Sequence, residues 1–579
     1  MSEELTIETE RVDDLPVLLA QLDKMQVAKL LDEHFPSHGN WQGVSLGTTS
    51  IVWLSHILSQ ANHKLNHVQP WAEKRLDTLQ SCVGEPVRAL DWSDDRLACI
   101  LDKLSDDRSF AGFETALGQH LIRVYELRPE RVRLDSTTAS SYGQVSPDGL
   151  FQFGHSKDHR PDLPQLKVQL SALDPLGLPI SSTIVSGQRA DDPLYVPEIQ
   201  RVQQTMGRHG LLYVGDCKMA ALATRAYLAY SGDFYLCPLS QVQLPEAELH
   251  RLLQAVWSGE QALTAIEQTT AEGQQEQIAQ GYERSQIVTT QVGEAQVSWQ
   301  ERLLIVRSLG LAQQQTRGLR ERLAKAQTEV LALNERRQGK HRFSTVEELD
   351  QATQQILQRH RVVGLVQGRV SDTVRERTIR GYGGHEARVE SSHEFSVQVL
   401  IDEAAVTQAI RELGWRVYVT NHSPAALSLH EAVLAYRSEY LIERDFGRLK
   451  GLPLSLQPMY LASEDRVKGL VRLLTIGLRV LTLLEFEVRR QLAAQQDPLV
   501  GLYAGQAKRA TARPTAEKLL AAFEGVTLTK FAAASQMRFH MTPLSHLQQR
   551  ILALLGFPPD LFSQIVVNSS RLASRMSEP

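Results

Sequence analysis

The sequence predicts a mixed α/β protein in which a sheet-forming core is flanked by α-helical regions and interrupted by a large insertion. Three observations predict it. Strand-like segments begin at Arg131 and recur as far as Cys237, and two of them lead to an aspartate. A Gln-rich, charged stretch then fills residues 240–395. Sheet character returns at Phe395–Ile401 and Trp415–Thr420, ahead of further helices.

Residues 12–125 read as helices, for example Leu15–Phe35, Thr49–Ala61 and Asp95–Leu101, broken by turn signals such as Pro36-Ser-His-Gly. Arg131-Val-Arg-Leu-Asp135-Ser-Thr-Thr138 alternates as a half-buried strand does. A basic loop, Gly154 to Pro164, follows it. Leu166–Leu173 and Leu178–Val185 flank the turn Asp174-Pro-Leu-Gly177 and predict a hairpin. A helix over Asp191–Met206, a buried strand Leu211–Gly215 ending at Asp216, a helix over Met219–Tyr230 and the strand Phe234–Cys237 complete the first block. Ligand sites of open α/β sheets gather at the carboxyl ends of strands, which draws attention to Asp135 and Asp216. Between 240 and 395 the sequence suggests Gln-rich helices, a coiled segment over Ser298–Arg337 and turns near Gly381-Tyr-Gly-Gly384. A long helix is expected over Ser428–Lys450, and helices from there to about Ser563. The expected division is an N-terminal helical domain (1–125), a core in two parts (126–239 and 396–490), an insertion domain (240–395) and a C-terminal helical region (491–579).

With 579 residues and 42% hydrophobic composition, the chain can bury several cores. Its four cysteines form no C-x-x-C pair, which argues against a zinc site or a disulfide scaffold. The most apolar stretch, Gly469–Val488, carries Arg472, Arg479 and two glutamates, so it reads as a core helix and not a membrane span. No G-x-x-x-x-G-K-[ST] loop is present, so no nucleotide cofactor is expected. A cytoplasmic, nucleoid-associated location in a bacterium is the expectation, with no membrane partner. Net charge is −5, but its distribution is uneven. Residues 1–110 hold 10 basic against 18 acidic side chains, and residues 299–380 hold 16 against 9. Phosphate binding depends on local fields, so the second segment stays open as either a nucleic-acid contact or a solvated charged helix pair.

The segment Tyr436-Arg-Ser-Glu439-Tyr-Leu-Ile-Glu443-Arg-Asp-Phe-Gly-Arg-Leu-Lys450 spaces Tyr436, Glu443 and Lys450 by seven. On a continuous helix that places all three on one stripe, with Gly447 leaving the face open. An exposed helix with scattered charges has the same pattern.

This segment resembles the signature of bacterial insertion-sequence DDE transposases of the Tyr-Arg-Glu-Lys subgroup. Tyr436, Glu443 and Lys450 match, whereas Glu439 stands where that family has Arg. Leu134-Asp135-Ser-Thr-Thr138, the loop Gly154–Gln165, Val214-Gly-Asp216 and Val419-Thr-Asn421 resemble the same family, so the likeness covers roughly 130–480. It implies an RNase H-like catalytic core with Asp135, Asp216 and Glu443 as catalytic residues and metal ligands. It also implies two Mg²⁺ ions, replaceable by Mn²⁺, and double-stranded DNA as substrate: the terminal inverted repeats and the target. Cut-and-paste transposition by a homodimer on DNA follows from the same likeness. Clustered carboxylates repel, and divalent cations with oxygen ligands remove that cost. Tyr436 and Lys450 are expected at DNA. Arg437 and Arg444 are candidates to replace the missing Arg, and Glu439 is either a surface residue or an additional acid near the metals. Lys157 and Arg160, in the basic loop, read as DNA-backbone contacts or as structural loop residues. Trp299 reads as core packing, or as the platform for a flipped base that some relatives place in the insertion domain. The alternatives to an active transposase are an inactive or domesticated DNA-binding descendant and an unrelated phosphohydrolase.

Overall fold

The computed structural model describes residues 6–270, 273–335, 343–379, 388–533 and 536–576. The expected turns near Gly381–Gly384 lie outside them. The chain divides into two compact units: residues 1–237, 287–299 and 434–579, and residues 238–286 and 300–433.

The first unit holds the predicted strands with small shifts of boundary: Arg131–Ser140, Gln165–Asp174, Leu178–Ser186, Leu212–Val214 and Phe234–Pro238. In the sheet they lie in chain order three-two-one-four-five. The first three pair antiparallel, and the last two join parallel to Arg131–Ser140 and to each other. Gln165–Asp174 is buried along its whole length, the burial expected of a strand covered on both faces. A 32-residue helix, Glu464–Gln495, runs through this unit and is buried on nearly every turn from Val467 to Val488. Its charged residues are inside because they are paired: Arg479, fully buried, meets Glu114 at 2.6 Å and donates to the carbonyls of Pro179 and Ile180. No helix among the described residues is long and apolar enough to cross a membrane.

The N-terminal helices form as expected, including Leu15–Lys24, Val27–His34, Leu46–Gln60 and Asp94–Leu104. Two readings near the chain ends are corrected. Thr6–Arg11 is a strand, pairing antiparallel with Thr527–Ala533, which in turn pairs with Gln536–Met541. The C-terminal region is therefore not purely helical, because Thr527-Leu-Thr-Lys-Phe, rich in residues that suit a pleated surface, is paired on both sides as the middle strand of three.

The Gln-rich stretch, which lies in the second unit except for residues 287–299, is also corrected. Thr264–Thr269, Gln275–Val292 and Ala295–Ser308 are strands, and Thr264–Thr269 pairs antiparallel with Gln275–Gly281. Gln favours helix in isolation, but Ile287-Val-Thr-Thr and Gln296-Val-Ser-Trp are rich in residues that suit a pleated surface. Gly293, at φ 60°, makes the tight turn between the two long strands. The helical part of the expected coiled segment is Leu309–Leu331. With the helices Val346–Arg359 and Glu403–Glu412 it packs on the hairpin Val366–Ile379/Arg388–Ile401 around Leu319, Leu323, Leu349, Val366, Val397 and Val406.

The long helix expected over Ser428–Lys450 is broken into Leu429–Arg437 and Tyr440–Lys450. Arg133 supplies the cause. Its guanidinium donates to the carbonyls of Ala435 (2.5 Å) and Tyr436 (3.4 Å), which a continuous helix would offer to Glu439 and Tyr440. The amides of Glu439 and Leu441 turn to carbonyls three residues back instead. Tyr436 thus belongs to the preceding helix, and the single-stripe geometry inferred for Tyr436, Glu443 and Lys450 does not hold.

Candidate active site

Asp135 lies in the sheet's central strand, and Asp216 follows the strand beside it. These strands pair in parallel as Arg131↔Leu212 through Arg133↔Val214, a register that, continued two residues, sets Asp135 abreast of Asp216. A side chain on Gly215 would meet Met219 Sδ at 2.7 Å, so a larger residue in the turn into Asp216 would make Met219 shift. Asp216 is held through one oxygen: Oδ1 accepts from the Tyr195 hydroxyl (2.6 Å) and from the backbone N–H of Lys218 (2.9 Å). Tyr195 is almost wholly buried. Burial first, then the charges of Asp216, Asp135 and Asp191, push its phenol well above the usual range, so it serves as a donor.

Asp135 Oδ1 accepts from the backbone N–H of Ser136 (2.7 Å) and from Lys157 Nζ (3.3 Å). The same ammonium donates to Ser136 O (2.5 Å) and Ser136 Oγ (3.0 Å). The basic loop is fastened over the strand by Lys157 N–H, which donates to Thr138 Oγ1. Burial raises the Asp135 carboxyl above the usual carboxylate range, with the charge of Asp216 adding to the rise and Lys157 opposing it.

The acid of the Tyr440–Lys450 helix whose charge interacts with both aspartates is Glu439, at the turn just before the helix. Burial raises its carboxyl, and Asp135, Glu443 and Asp216 raise it further against the pull of Arg133. Glu443, one turn on, is exposed. Glu439 thus feels the charges of Asp135, Asp216 and Glu443, and it is half-buried rather than a surface residue. These carboxylates do not converge on one point. Among the described residues, the set with three donor atoms mutually within 4.8 Å is Glu246, His250 and Glu412, in the second unit.

Most of the cations expected at DNA are held by the chain's own acids. Lys450 Nζ meets Asp158 Oδ1 at 2.5 Å and Thr137 Oγ1 at 3.0 Å. Arg444 meets Glu485 at 3.0 Å, and Arg160 forms a two-pronged pair with Asp162 at 2.8 Å on an exposed loop. Arg437 is exposed and makes no ion pair with a described residue. Tyr436 is buried. Trp299 is partly exposed, with Nε1 donating to the Tyr235 hydroxyl at 2.8 Å.

Sequence reasoning missed Tyr195, Lys167 and Asp191. Lys167, buried in a strand covered along its whole length, meets Asp191 Oδ1 at 2.6 Å, and Asp191 accepts from Ser136 Oγ at 3.1 Å. A lysine inside Leu166-Lys-Val-Gln-Leu170 was the available signal, since a buried ammonium needs an anion.

No family model matches the chain, and no curated protein does. Among solved structures it is similar to a piggyBac transposase in a synaptic complex with hairpin DNA, at 10% sequence identity and a TM-score of 0.22. The match covers 50% of this chain and 55% of that one, so the chain spans about half the length of the structure it matches.

Proposed function

We propose that this chain is a metal-dependent DNA transposase of the DDE type, which cuts at the ends of an insertion sequence and joins the freed ends to target DNA. The observation that carries the reading is the parallel register that sets Asp135 abreast of Asp216, with Glu439 feeling the charges of both and of Glu443. The strand order three-two-one-four-five, antiparallel in its first three members, supports an RNase H-like core. In this reading residues 126–237 and 434–490 form that core, residues 396–433, expected in the core, belong instead with the insertion because they fold in the second unit, and 1–125 and 491–579 are the flanking regions. Synapsis of two inverted repeats makes the working form a homodimer on duplex DNA.

The donor chemistry is of the kind that holds a pair of Mg²⁺ ions, with Mn²⁺ as substitute, although the carboxylates do not converge on one point. Hard divalent cations take oxygen ligands, and burial with mutual repulsion raises the Asp135 and Glu439 carboxyls, against the opposing pull of Lys157 and Arg133. The Lys157 ammonium, set against Asp135 Oδ1 and Ser136 O, is already a cation at the place where the reading requires one. Asp135, Asp216 and Glu443 would hold the ions, with Glu439 as a fourth carboxylate. When bound, two such ions activate a water or 3′-hydroxyl and stabilise the leaving oxygen of an in-line displacement.

The chain's own groups do the positioning. Tyr195 and the Lys218 amide fix Asp216 through Oδ1, and neither bonds Oδ2. Lys450, once Asp158 yields it, supplies an ammonium for a phosphate oxygen beside the first strand. Cleavage of end-containing duplex with Mg²⁺ tests the reading. Asp216→Ala is expected to abolish cleavage and retain DNA binding, and equal cleavage by both proteins would falsify it.

A further inference from the structure

The catalytic-face cations being mostly paired within the chain, the question is which positive groups remain free for a polyanion. In the second unit the helix Leu309–Leu331 carries Arg317, Arg320, Arg322 and Lys325 within nine residues. All four are exposed, and none makes an ion pair with a described residue. Of the two acids on the helix, Glu329 is tied to Arg359 and His360, which leaves Glu321 as the one local counter-charge. Leu319, Leu323, Ala326 and Val330 fix the opposite face into the core, so the helix cannot roll its cations away from solvent.

One flank of this helix is a groove. Arg307, Arg317 and Arg320 line it together with Gln313, Thr316 and one acid, Glu321. Arg307 is rigid: its guanidinium donates to the carbonyls of Leu413 and Ile410, both at 3.0 Å, at the end of the helix Glu403–Glu412. Ala312 and Ala324 are the small side chains of the lining, and no aromatic group is present there.

We propose that this groove is a binding surface for the phosphodiester backbone of duplex DNA, separate from the carboxylate cluster. Arginine forks suit phosphate oxygens, and unpaired arginines give up no internal partner to reach them. Gln313 adds a neutral donor of the kind that accompanies arginine at DNA backbones. Leu309 is the one large apolar side chain of the lining and no aromatic one is present, so the contact is carried by the arginines rather than by an apolar anchor. The helix is roughly 35 Å long at 1.5 Å per residue, which is close to one duplex turn. The surface goes beyond the proposed chemistry and does not require it.

The test is fluorescence anisotropy of the full chain with duplex DNA across roughly 50–200 mM salt, comparing wild type with Arg317→Glu/Arg320→Glu and Arg317→Gln/Arg320→Gln. Each phosphate contact contributes about 0.9 to the slope of log affinity against log salt, so losing two lowers the slope by about 2. The charge-reversed protein should bind at least about tenfold more weakly at the lower salt, and the Gln variant should show the same loss of slope. Both lie on an exposed helix face, so unchanged circular dichroism is expected. Undiminished slope and affinity in both variants overturn the proposal. So does loss of binding to poly-glutamate with DNA binding intact, which would make the groove an acidic-peptide site. Mg²⁺-dependent cleavage, measured alongside, separates the two readings. Cleavage with unaltered slopes removes the groove alone, and altered slopes with no cleavage by wild type remove the transposase reading alone.

Discussion

Asp445 lies two positions beyond Glu443, and that step takes it from solvent to core. It is fully buried, and neither carboxylate oxygen has a hydrogen-bond partner. Burial pushes its carboxyl up to about 8, with Arg444 and Arg448 pulling it down and Glu485 pushing it up. In the unfolded chain the group titrates near 4. Between about pH 4 and 8 the folded protein therefore holds a proton that the unfolded chain has released. That contribution to stability is fully present below pH 4 and declines until pH 8, by at most about 1.4 kcal/mol per pH unit. Asp445→Asn keeps the shape and removes the titration. Urea unfolding of this variant at pH 5, 6.5 and 8 should show a flatter profile than wild type and greater stability at pH 8. Parallel profiles would assign the pH dependence elsewhere. The same contrast bears on what the sequence made legible. Asp135 and Asp216 could be singled out because an acid within or just after an apolar strand is visible in one dimension. Tyr195 could not, because its role arises only when the start of the Tyr195–Met206 helix is brought against the strands, and for Glu439 the sequence left two readings open because only the turn Ser438–Glu439 sets it near Asp135.

At the scale of elements, the break between Leu429–Arg437 and Tyr440–Lys450 decides where the acids stand. Local preference favours one continuous helix, since nothing in Arg437-Ser-Glu-Tyr440 is a strong breaker. The break is made from outside, by a guanidinium more than 300 residues away taking two helix carbonyls. Arg133 also pairs at 2.8 Å with Asp174, whose side chain is buried. Arg133→Met removes the partner of a buried carboxylate and frees both carbonyls, for an expected loss of roughly 3–5 kcal/mol. It should also let the helix grow through Glu439 and carry that acid away from Asp135. The expected outcome is a lower urea midpoint together with weaker end cleavage. A midpoint equal to wild type would remove Arg133 from this role. The strands Gln275–Val292 and Ala295–Ser308 were hidden for a related reason. Glutamine count favours helix, and the sheet preference of the Val, Thr and Trp positions emerges only with a neighbouring strand to pair.

At the scale of the whole molecule, the two ends of the chain form a single structure. Thr6–Arg11 is a strand only because Thr527–Ala533 is paired to it. Glu10, the last acid of that strand, accepts from the N–H groups of Asp77 (3.0 Å) and Thr78 (2.9 Å), capping the helix Leu76–Val83. Ser569 meets Ser81 at 2.6 Å, so the last helix closes on the same one. The C-terminal region also reaches the site helix: Arg448 pairs with Glu517 at 2.8 Å, and Ala516 N–H donates to Glu485, the partner of Arg444. A sequence read segment by segment assigns these ends to separate helical regions, because pairing across 500 residues leaves no local trace. The coupling has a measurable consequence. Deleting residues 496–579 strips Thr6–Arg11 of its partner strand, uncovers the side of the long helix that packs against Ala516–Ala521 and His546–Leu555, and leaves buried Glu485 and Arg448 with fewer partners. The shortened chain should lose its cooperative thermal transition and its end cleavage together, although Asp135, Asp216, Glu439 and Glu443 are all retained. Differential scanning calorimetry and cleavage of the same preparation test this, and a shortened chain that melts and cuts like the full one would show the C-terminal region to be a separable appendage.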